Sequence, residues 1–589
     1  MAKDFKMTTQ FRGYLSRADI TKVKAGYLVN GSQNVLSTDK GTISAGGQYV
    51  IYGAANSATD PIEASYDWNT HSAVERNLRA YSDELEVDIG GTWTRVLNGW
   101  ASVDFQFAEY WDTNEGEDIL LFVNGDGSVY SWSGGLAVIS AVTANTIKKT
   151  GTATWAEARF ISNGTDYDKK VVINGTTYTY TGGESTTTLT GVTGDPSGEA
   201  VGSNVIQKPT THANIPAANF NADRIGVLDN HVWYGSTQNR QVYVSKQNDF
   251  NNVTFASPRA VGEGALLTLD GVVVGFIAGE EAMYITAGKN QWYKSKLTLS
   301  ADLTAEDLSI DRFKTSTQGG AKSQNLIHKV KNAIVFISNE PTMDSLGDIE
   351  DIPSPQQKPL SHDIKDDFDA ADWDNGDSIY YKGKSYITIP DDGKVLIYDW
   401  NKRQWEAPQL MYIRKFAIIG GLLYGHSSKR PETYRLFSGY NANGGLINCV
   451  AKFSYQNYGD REALKCFDEF YNEGYIHLAT DLTLELNYDF EGSKGKEEYT
   501  IDGGDTTILF RYTSNIAIGI DKIGINGMGG TGITATAVPK FRQISEMAKI
   551  DFHELQVVYK CNQLNARFEL IGFGPLLQKS PAKATGIKK

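Results

Sequence analysis

Gly527-Met528-Gly529-Gly530-Thr531-Gly532 has the GxGxxG spacing that lets a backbone approach a pyrophosphate. Such a loop works only when a helix starts directly behind it and points its free amides at the phosphates. The residues that follow, Ile533-Thr-Ala-Thr-Ala-Val538, are strand formers and Pro539 stops them, so no dinucleotide site is expected. Gly383-Lys384-Ser385 resembles the end of a phosphate loop, but Ser378 stands where the opening glycine belongs and the flanks are strands, which predicts a hairpin turn. His553-Glu554 begins a HExxH pattern that fails at Val557, and its alternation is that of a strand, where two imidazoles cannot share a zinc. Gly425-His426-Ser427-Ser428 places a histidine beside hydroxyls with no carboxylate that can be assigned to it, and no GxSxG elbow occurs.

Carboxylate pairs such as Glu280-Glu281 or Asp348 with Glu350 are the raw material of glycoside hydrolysis, but a chain with seventy carboxylates offers many pairs and no separations. Asn124, Asp126 and Ser128 alternate oxygens as a calcium loop does, yet position twelve is Gly135 where a bidentate acid belongs, which favours a turn. Trp233-Tyr234 and Trp292-Tyr293 could stack a sugar or a partner loop, and core packing is the commoner duty of such residues. The run Asp363, Asp366, Asp367, Asp369, Asp372, Asp374, Asp377 reads as a solvated loop. The expectation is therefore a protein with no catalytic, cofactor-binding or metal site, hence no enzyme and no cofactor.

The elements that would have to position any chemistry are strands. Of 589 residues 59 are Gly, only 15 are Pro, and 11% are aromatic, a mixture of turn and pleated-surface residues. Fifty-six Lys and Arg against seventy Asp and Glu leave a net charge of −14, which opposes wrapping by nucleic acid, although an acidic lumen can let DNA slide. The longest apolar stretch, 416–423, is interrupted by Gly420 and Gly421 and is too short to span a bilayer. The first residues lack an apolar segment of the secretory kind, so synthesis in a cytoplasm is expected. Cys449, Cys466 and Cys561 form no CxxC pair and read as reduced thiols.

Strand-like runs joined by turn dipeptides fill most of the chain. Asp118 to Trp132 predicts a hairpin around Asn124-Gly125-Asp126-Gly127, because those residues tolerate positive φ. Ser378 to Trp405 predicts four strands, the size of one β-propeller blade, and further blades are expected to begin near Arg224, Gly271, Asn325 and Phe416. The fold class is all-β: a β-propeller with an inserted small β domain and a C-terminal β domain, with an array of β-sandwiches as the alternative to the propeller. The divisions are 1–140, an N-terminal platform segment with the first blade or blades; 141–208, the Thr/Gly/Ser-rich insert with its Asn174-Gly175 hairpin; 209–450, propeller blades; and 451–589, a C-terminal β domain with a basic tail. That tail, after Glu569, carries Lys579, Lys583, Lys588 and Lys589 without an acid and reads as coil or partner-docked.

Lys24-Ala-Gly-Tyr27 through Ser32-Gln-Asn-Val35, Leu121 to Tyr130, Gly151 to Glu157, Ile173 to Tyr180, Lys382 to Pro390 with Tyr398 to Pro408, Gly425-His-Ser427, Gly439 to Gly444, Pro539 to Arg542, and Phe552 to Tyr559 together carry a likeness. In these segments the chain resembles a known family, the virion proteins that form the tail nozzle, the distal tail tube, of short-tailed bacteriophages. The likeness spans nearly the whole chain and is one of pattern, with no invariant motif. The resemblance implies a propeller fused to platform and tip domains, assembled with itself as a hexameric ring below the tail adaptor or connector, carrying tail fibres or spikes. Phage DNA would be ejected through its lumen without sequence-specific binding, and the location would be the virion tail. Alternatives are a receptor- or glycan-binding propeller on the tail surface, a propeller glycosidase, and a head-to-tail connector or tail-tip component.

Overall fold

The computed structural model describes residues 4–16, 23–54, 58–100, 102–113, 116–160, 167–254, 260–289, 291–299, 306–313, 319–346, 359–458, 464–477, 480–489, 495–502, 540–546, 550, 552–564 and 567–579. Seven antiparallel sheets follow one another along the chain. Blade 1 is Ala64–Asn69, Glu75–Tyr81, Glu84–Ile89 and Thr92–Asn98; blade 2 is Gln106–Asp112, Glu117–Val123, Ser128–Trp132 and Thr210–Ala213. Blade 3 runs from Arg224–Leu228 through His231–Gly235 and Gln241–Val244 to Ala265–Thr268, and blade 4 from Val273–Ala278 through Met283–Ala287 and Gln291–Leu299 to Glu306–Phe313. Blade 5 has three strands among the described residues, Ile327–Val330, Ala333–Ile337 and Met343–Leu346. Blade 6 comprises Asp377–Tyr381, Lys384–Ile389, Lys394–Asp399 and Gln404–Trp405, with Gln409–Leu410 paired beside them; blade 7 comprises Ile413–Ile419, Leu422–Ser427 and Thr433–Leu436.

The ring closes with its own beginning. Tyr49–Tyr52 supplies the fourth strand of blade 7, Tyr434 lying opposite Ile51 and Leu436 opposite Tyr49. The first strand of each blade packs on its neighbours: 64–69 touches 106–112 and 413–419, then 106–112 touches 224–228, 224–228 touches 273–278, and 327–330 touches 377–381, which touches 413–419. The expected starts at Arg224, Gly271, Asn325 and Phe416 thus fall at or within three residues of real first strands, and blade 1 with the first three strands of blade 2 precedes residue 209, the fourth strand of blade 2, Thr210–Ala213, following it.

The insert occupies one six-stranded sheet between Leu136 and Gln207, set between the third and fourth strands of blade 2. Trp155, Phe160, Val171, Ile173, Leu189 and Val205 bury its own core, which is why a Thr/Gly/Ser-rich segment folds as a unit. Buried Arg159 fastens it to the ring: its Nε donates to Ser133 O at 2.6 Å, Nη1 donates to Ser72 Oγ at 3.0 Å, and its guanidinium lies 5.3 Å from the ring centre of Trp68 in blade 1.

Both ends of the chain build the remaining domain. One sheet is Ile447–Lys452, Leu555–Gln563, Asp481–Tyr488 and Gly495–Asp502; the other joins Val35–Ser37 and Ile43–Ala45 to Phe568–Lys579, Lys465–Ile476 and Lys540–Glu546, with Asp4–Phe5 on the long last strand. The core between them runs without a break into blades 5 and 6, from Phe11, Phe453 and Phe573 to Val335, Phe368 and Trp405.

Three expectations are corrected here. The segment after Glu569 is strand as far as Lys579, because Phe573 and Leu577 continue a buried row, and because Gly574 leaves room for residue 6: a Cβ there would meet Lys6 O at 1.9 Å. Residues 580–589 lie outside the described residues. The acidic run stays solvated, with Asp363, Asp366, Asp369, Asp372 and Asp374 exposed, but its first part is no loop: it folds as a 3₁₀ turn, Leu360–Ile364, and a helix, Lys365–Ala370, because Ile364, Phe368 and Trp373 bury on one side. Tyr14 Oη donates to Asp367 at 3.0 Å, and Asp377 opens the first strand of blade 6. The strand expected from Phe552 starts at Leu555, since Asp489 accepts the N–H groups of His553 (2.7 Å) and Glu554 (3.0 Å) and holds them in a turn.

Candidate functional site

The first strands around a propeller axis splay apart and share few backbone hydrogen bonds, yet buried N–H and C=O groups need partners. Side chains supply them. Asp67 accepts the Ile418 N–H across the blade 1–blade 7 seam, and Asp377 accepts the Phe416 N–H at 2.8 Å across the blade 6–blade 7 seam. Ser65 Oγ donates to Phe416 O at 3.1 Å, and Arg224 Nε donates to Val274 O at 2.8 Å. Gln324 mimics a strand edge: its Oε1 accepts the Phe276 N–H at 2.6 Å and its Nε2 donates to Phe276 O at 2.9 Å. Desolvation by the packed strands pushes Asp67 up to about 7 and Asp377 to about 6, so both carboxyls titrate near neutrality.

At the end of the axis where the first strands begin, Gln106 Nε2 of blade 2 reaches to within 3.5 Å of Asn325 Oδ1, just ahead of blade 5. Blades 2 and 5 lie three steps apart in a ring of seven, on opposite sides of the axis, so this contact spans the passage. Nearby, Arg414 pairs with Glu63 and donates from Nη2 to Asn375 Oδ1 at 3.2 Å, joining the starts of blades 7, 1 and 6. What these groups do chemically is hold the ring shut. The carboxylates accept backbone N–H groups, and among the described residues no three His, Cys, Asp or Glu side chains gather as metal ligands.

The residues singled out in the sequence are scattered over the fold. Asn124 Oδ1 accepts the Asp126 N–H at 3.3 Å and Asp126 Oδ1 the Ser128 N–H at 2.9 Å, so their oxygens serve a hairpin. Lys382-Gly383 forms the expected turn, Lys382 and Gly383 both having positive φ, and Ser385 lies on the next strand. His426 is fully buried on blade 7 against Thr433 Oγ1 at 2.9 Å, and Trp233, Tyr234, Trp292 and Tyr293 are core residues. Glu281 pairs with Lys296 at 2.8 Å. Residues 527–532, Asp348 and Glu350 lie outside the described residues. Cys449 and Cys561, far apart in sequence, face each other in register on adjacent strands as buried free thiols, and burial pushes Cys561 up to about 12. Sequence reasoning missed His328, buried between Ser378 Oγ (2.9 Å) and Ser385 Oγ (2.7 Å), and the bridge of Gln106 to Asn325. A lone histidine, glutamine or asparagine carries no local signal of what it meets.

Fold and axis together define an all-β protein, a seven-bladed β-propeller with an inserted β domain and a C-terminal β domain that also takes in the N-terminal strands. No family model and no curated protein matches the chain. Among solved structures it is similar to the computationally designed protein Ika8 (10% identity, TM-score 0.32, 66% of this chain and 100% of that one). It is similar also to BamB from Moraxella catarrhalis (9% identity, TM-score 0.31, 74% of this chain and 98% of that one). At these scores the likeness carries no functional argument, and the architecture stands on the strand pairing itself.

Proposed function

We propose that this chain is a virion structural subunit, a component of the tail nozzle of a short-tailed phage, that works by assembly and not by catalysis. The observation that carries the reading, beside the resemblance of the sequence, is the union of both chain ends in one two-sheet domain sharing an unbroken core with blades 5 and 6. A propeller and platform locked in this way move as one body, which is what a subunit repeated around a ring requires.

In this reading DNA passes between subunits and never through a propeller. A duplex whose major groove alone is about 12 Å wide cannot thread an axis that Gln106 and Asn325 span. The net charge of −14 keeps a wall formed by several copies from binding the passing duplex. Native mass spectrometry with negative-stain imaging of the purified chain, alone and mixed with candidate tail adaptors, tests the proposal. A closed ring of six copies with an axial channel is the expected result. A monomer that stays monomeric with every adaptor overturns it.

A further inference from the structure

The seam between blades 4 and 5 begins as a packed apolar contact of Trp292, Ile327, Ile334 and Phe336 and then opens outward. The reason is a mismatch of blades. The third and fourth strands of blade 4, Gln291–Leu299 and Glu306–Phe313, are nine and eight residues long, whereas blade 5 offers three short strands among the described residues. The overhang leaves a groove of about 480 Å³. Strand alternation then fills it with ammonium groups, because Lys294 and Lys296 follow Trp292 on one face of their strand, while Lys329 and Lys331 line the blade 5 side.

In a chain of net charge −14 this concentration of cations is unusual. Glu281 occupies Lys296 at 2.8 Å, and Lys294 Nζ sits 5.8 Å from the ring centre of Tyr284. Lys329 and Lys331 are exposed and have no carboxylate within ion-pair distance among the described residues. Glu280 at the rim is the remaining acid. Four point charges on flexible stems around a cavity suit tetrahedral oxyanions better than planar carboxylates, which arginine forks match. The volume is that of a small-molecule site and too compact for the phosphate track of a duplex.

We propose that this groove binds a small ligand bearing two or more phosphate or sulfate groups, held by Lys294, Lys329 and Lys331, with Lys296 held in reserve by Glu281. The test is isothermal titration of the full chain with inorganic tripolyphosphate and with fructose 1,6-bisphosphate, which separates bare phosphate from phosphate on a sugar. Both probes are expected to bind, with affinity falling as salt rises. Lys329→Ala with Lys331→Ala should weaken binding by roughly tenfold or more, while Lys148→Ala, an exposed lysine of the insert, leaves it unchanged. Glu281→Gln should strengthen it several-fold by freeing Lys296, a gain that a merely structural role would not produce. Absence of binding by either probe, or equal loss in Lys148→Ala, overturns the proposal. So does a DNA duplex that binds as tightly through the same lysines. Binding that emerges only when Asp348, Glu350 and Asp351 are neutralised overturns it too, assigning the ammoniums to the chain's own acids.

Discussion

The seam between blades 7 and 1 and the seam between blades 4 and 5 join the same kind of element in opposite ways. The first must bring together segments some 350 residues apart in sequence, and it is sealed by buried polar groups. Arg79 lies under Trp93 at 4.1 Å, grips Glu86 through Nε (2.8 Å) and Nη2 (2.7 Å), and donates from Nη1 to Thr433 Oγ1 at 3.1 Å on blade 7. Tyr81 Oη donates to Glu86 Oε1 at 3.1 Å, so the carboxylate is satisfied on both oxygens. The second seam joins consecutive blades through apolar packing and neutral hydrogen bonds, with Gln324 clamping Phe276, Ala321 N–H donating to Thr286 Oγ1 at 3.0 Å and Asn339 Nδ2 donating to Lys289 O at 2.6 Å, and it opens into a groove. The seam that must specify register over a long loop buries an ion pair and a carboxyl, whereas neutral hydrogen bonds and apolar packing suffice where the chain already delivers the neighbour.

That contrast can be broken most forcefully at Arg79. Arg79→Ala strands the Glu86 carboxylate in the closing seam and should cost about 3–5 kcal/mol, read by denaturant unfolding, whereas Arg79→Met with Glu86→Met should recover most of the loss. If the double substitution is as damaging as the single one, shape and not charge pairing holds the seam. Gln324→Leu leaves the Phe276 N–H and C=O without their partner and should cost about 2 kcal/mol in the same measurement.

A smaller effect sharpens the comparison through pH. Asp67, at the closing seam, has its folded value raised to about 7 from an ordinary 3.8, so the folded chain holds a proton that the unfolded chain has released between these values. Its contribution is fully present at low pH and is lost as pH rises through about 7. Asp67→Asn should therefore raise the melting midpoint above wild type by a few degrees at about pH 8 and lose that advantage near pH 4, in thermal scans at both. His426 at the same seam and His328 between blades 5 and 6 run the other way. Burial lowers both to about 3, so their contribution is present above 6.5 and declines as pH falls. The least effect belongs to the open seam: Glu281→Gln, at an exposed ion pair, should leave the denaturant midpoint unchanged while altering anion affinity.

Much of the fold was legible in the chain itself. Asn-Gly and Gly-rich turns such as Asn124-Gly125 and Lys382-Gly383 announce their hairpins because positive φ is a property of a residue and its immediate neighbours. Blade 6 could be outlined strand by strand from 378 to 405 for the same reason, and the insert was visible as a change of composition. What depends on partners remote in sequence was not legible. Tyr49–Tyr52 gives no sign that it completes blade 7, Phe568–Lys579 looked like tail because its partners lie near residues 5 and 44, and the acidic run hid the burial of Phe368.

The sequence by itself determined that the chain is all-β, where most hairpins turn, and that no familiar catalytic motif is intact, since each of these rests on residue types within a few positions of one another. Only the tertiary structure decided how many sheets close the ring, that Gln106 and Asn325 meet across its axis, and that four lysines from two blades share one groove. Those facts depend on blade length and angular position around the ring, quantities set by packing across hundreds of residues and written in no local pattern.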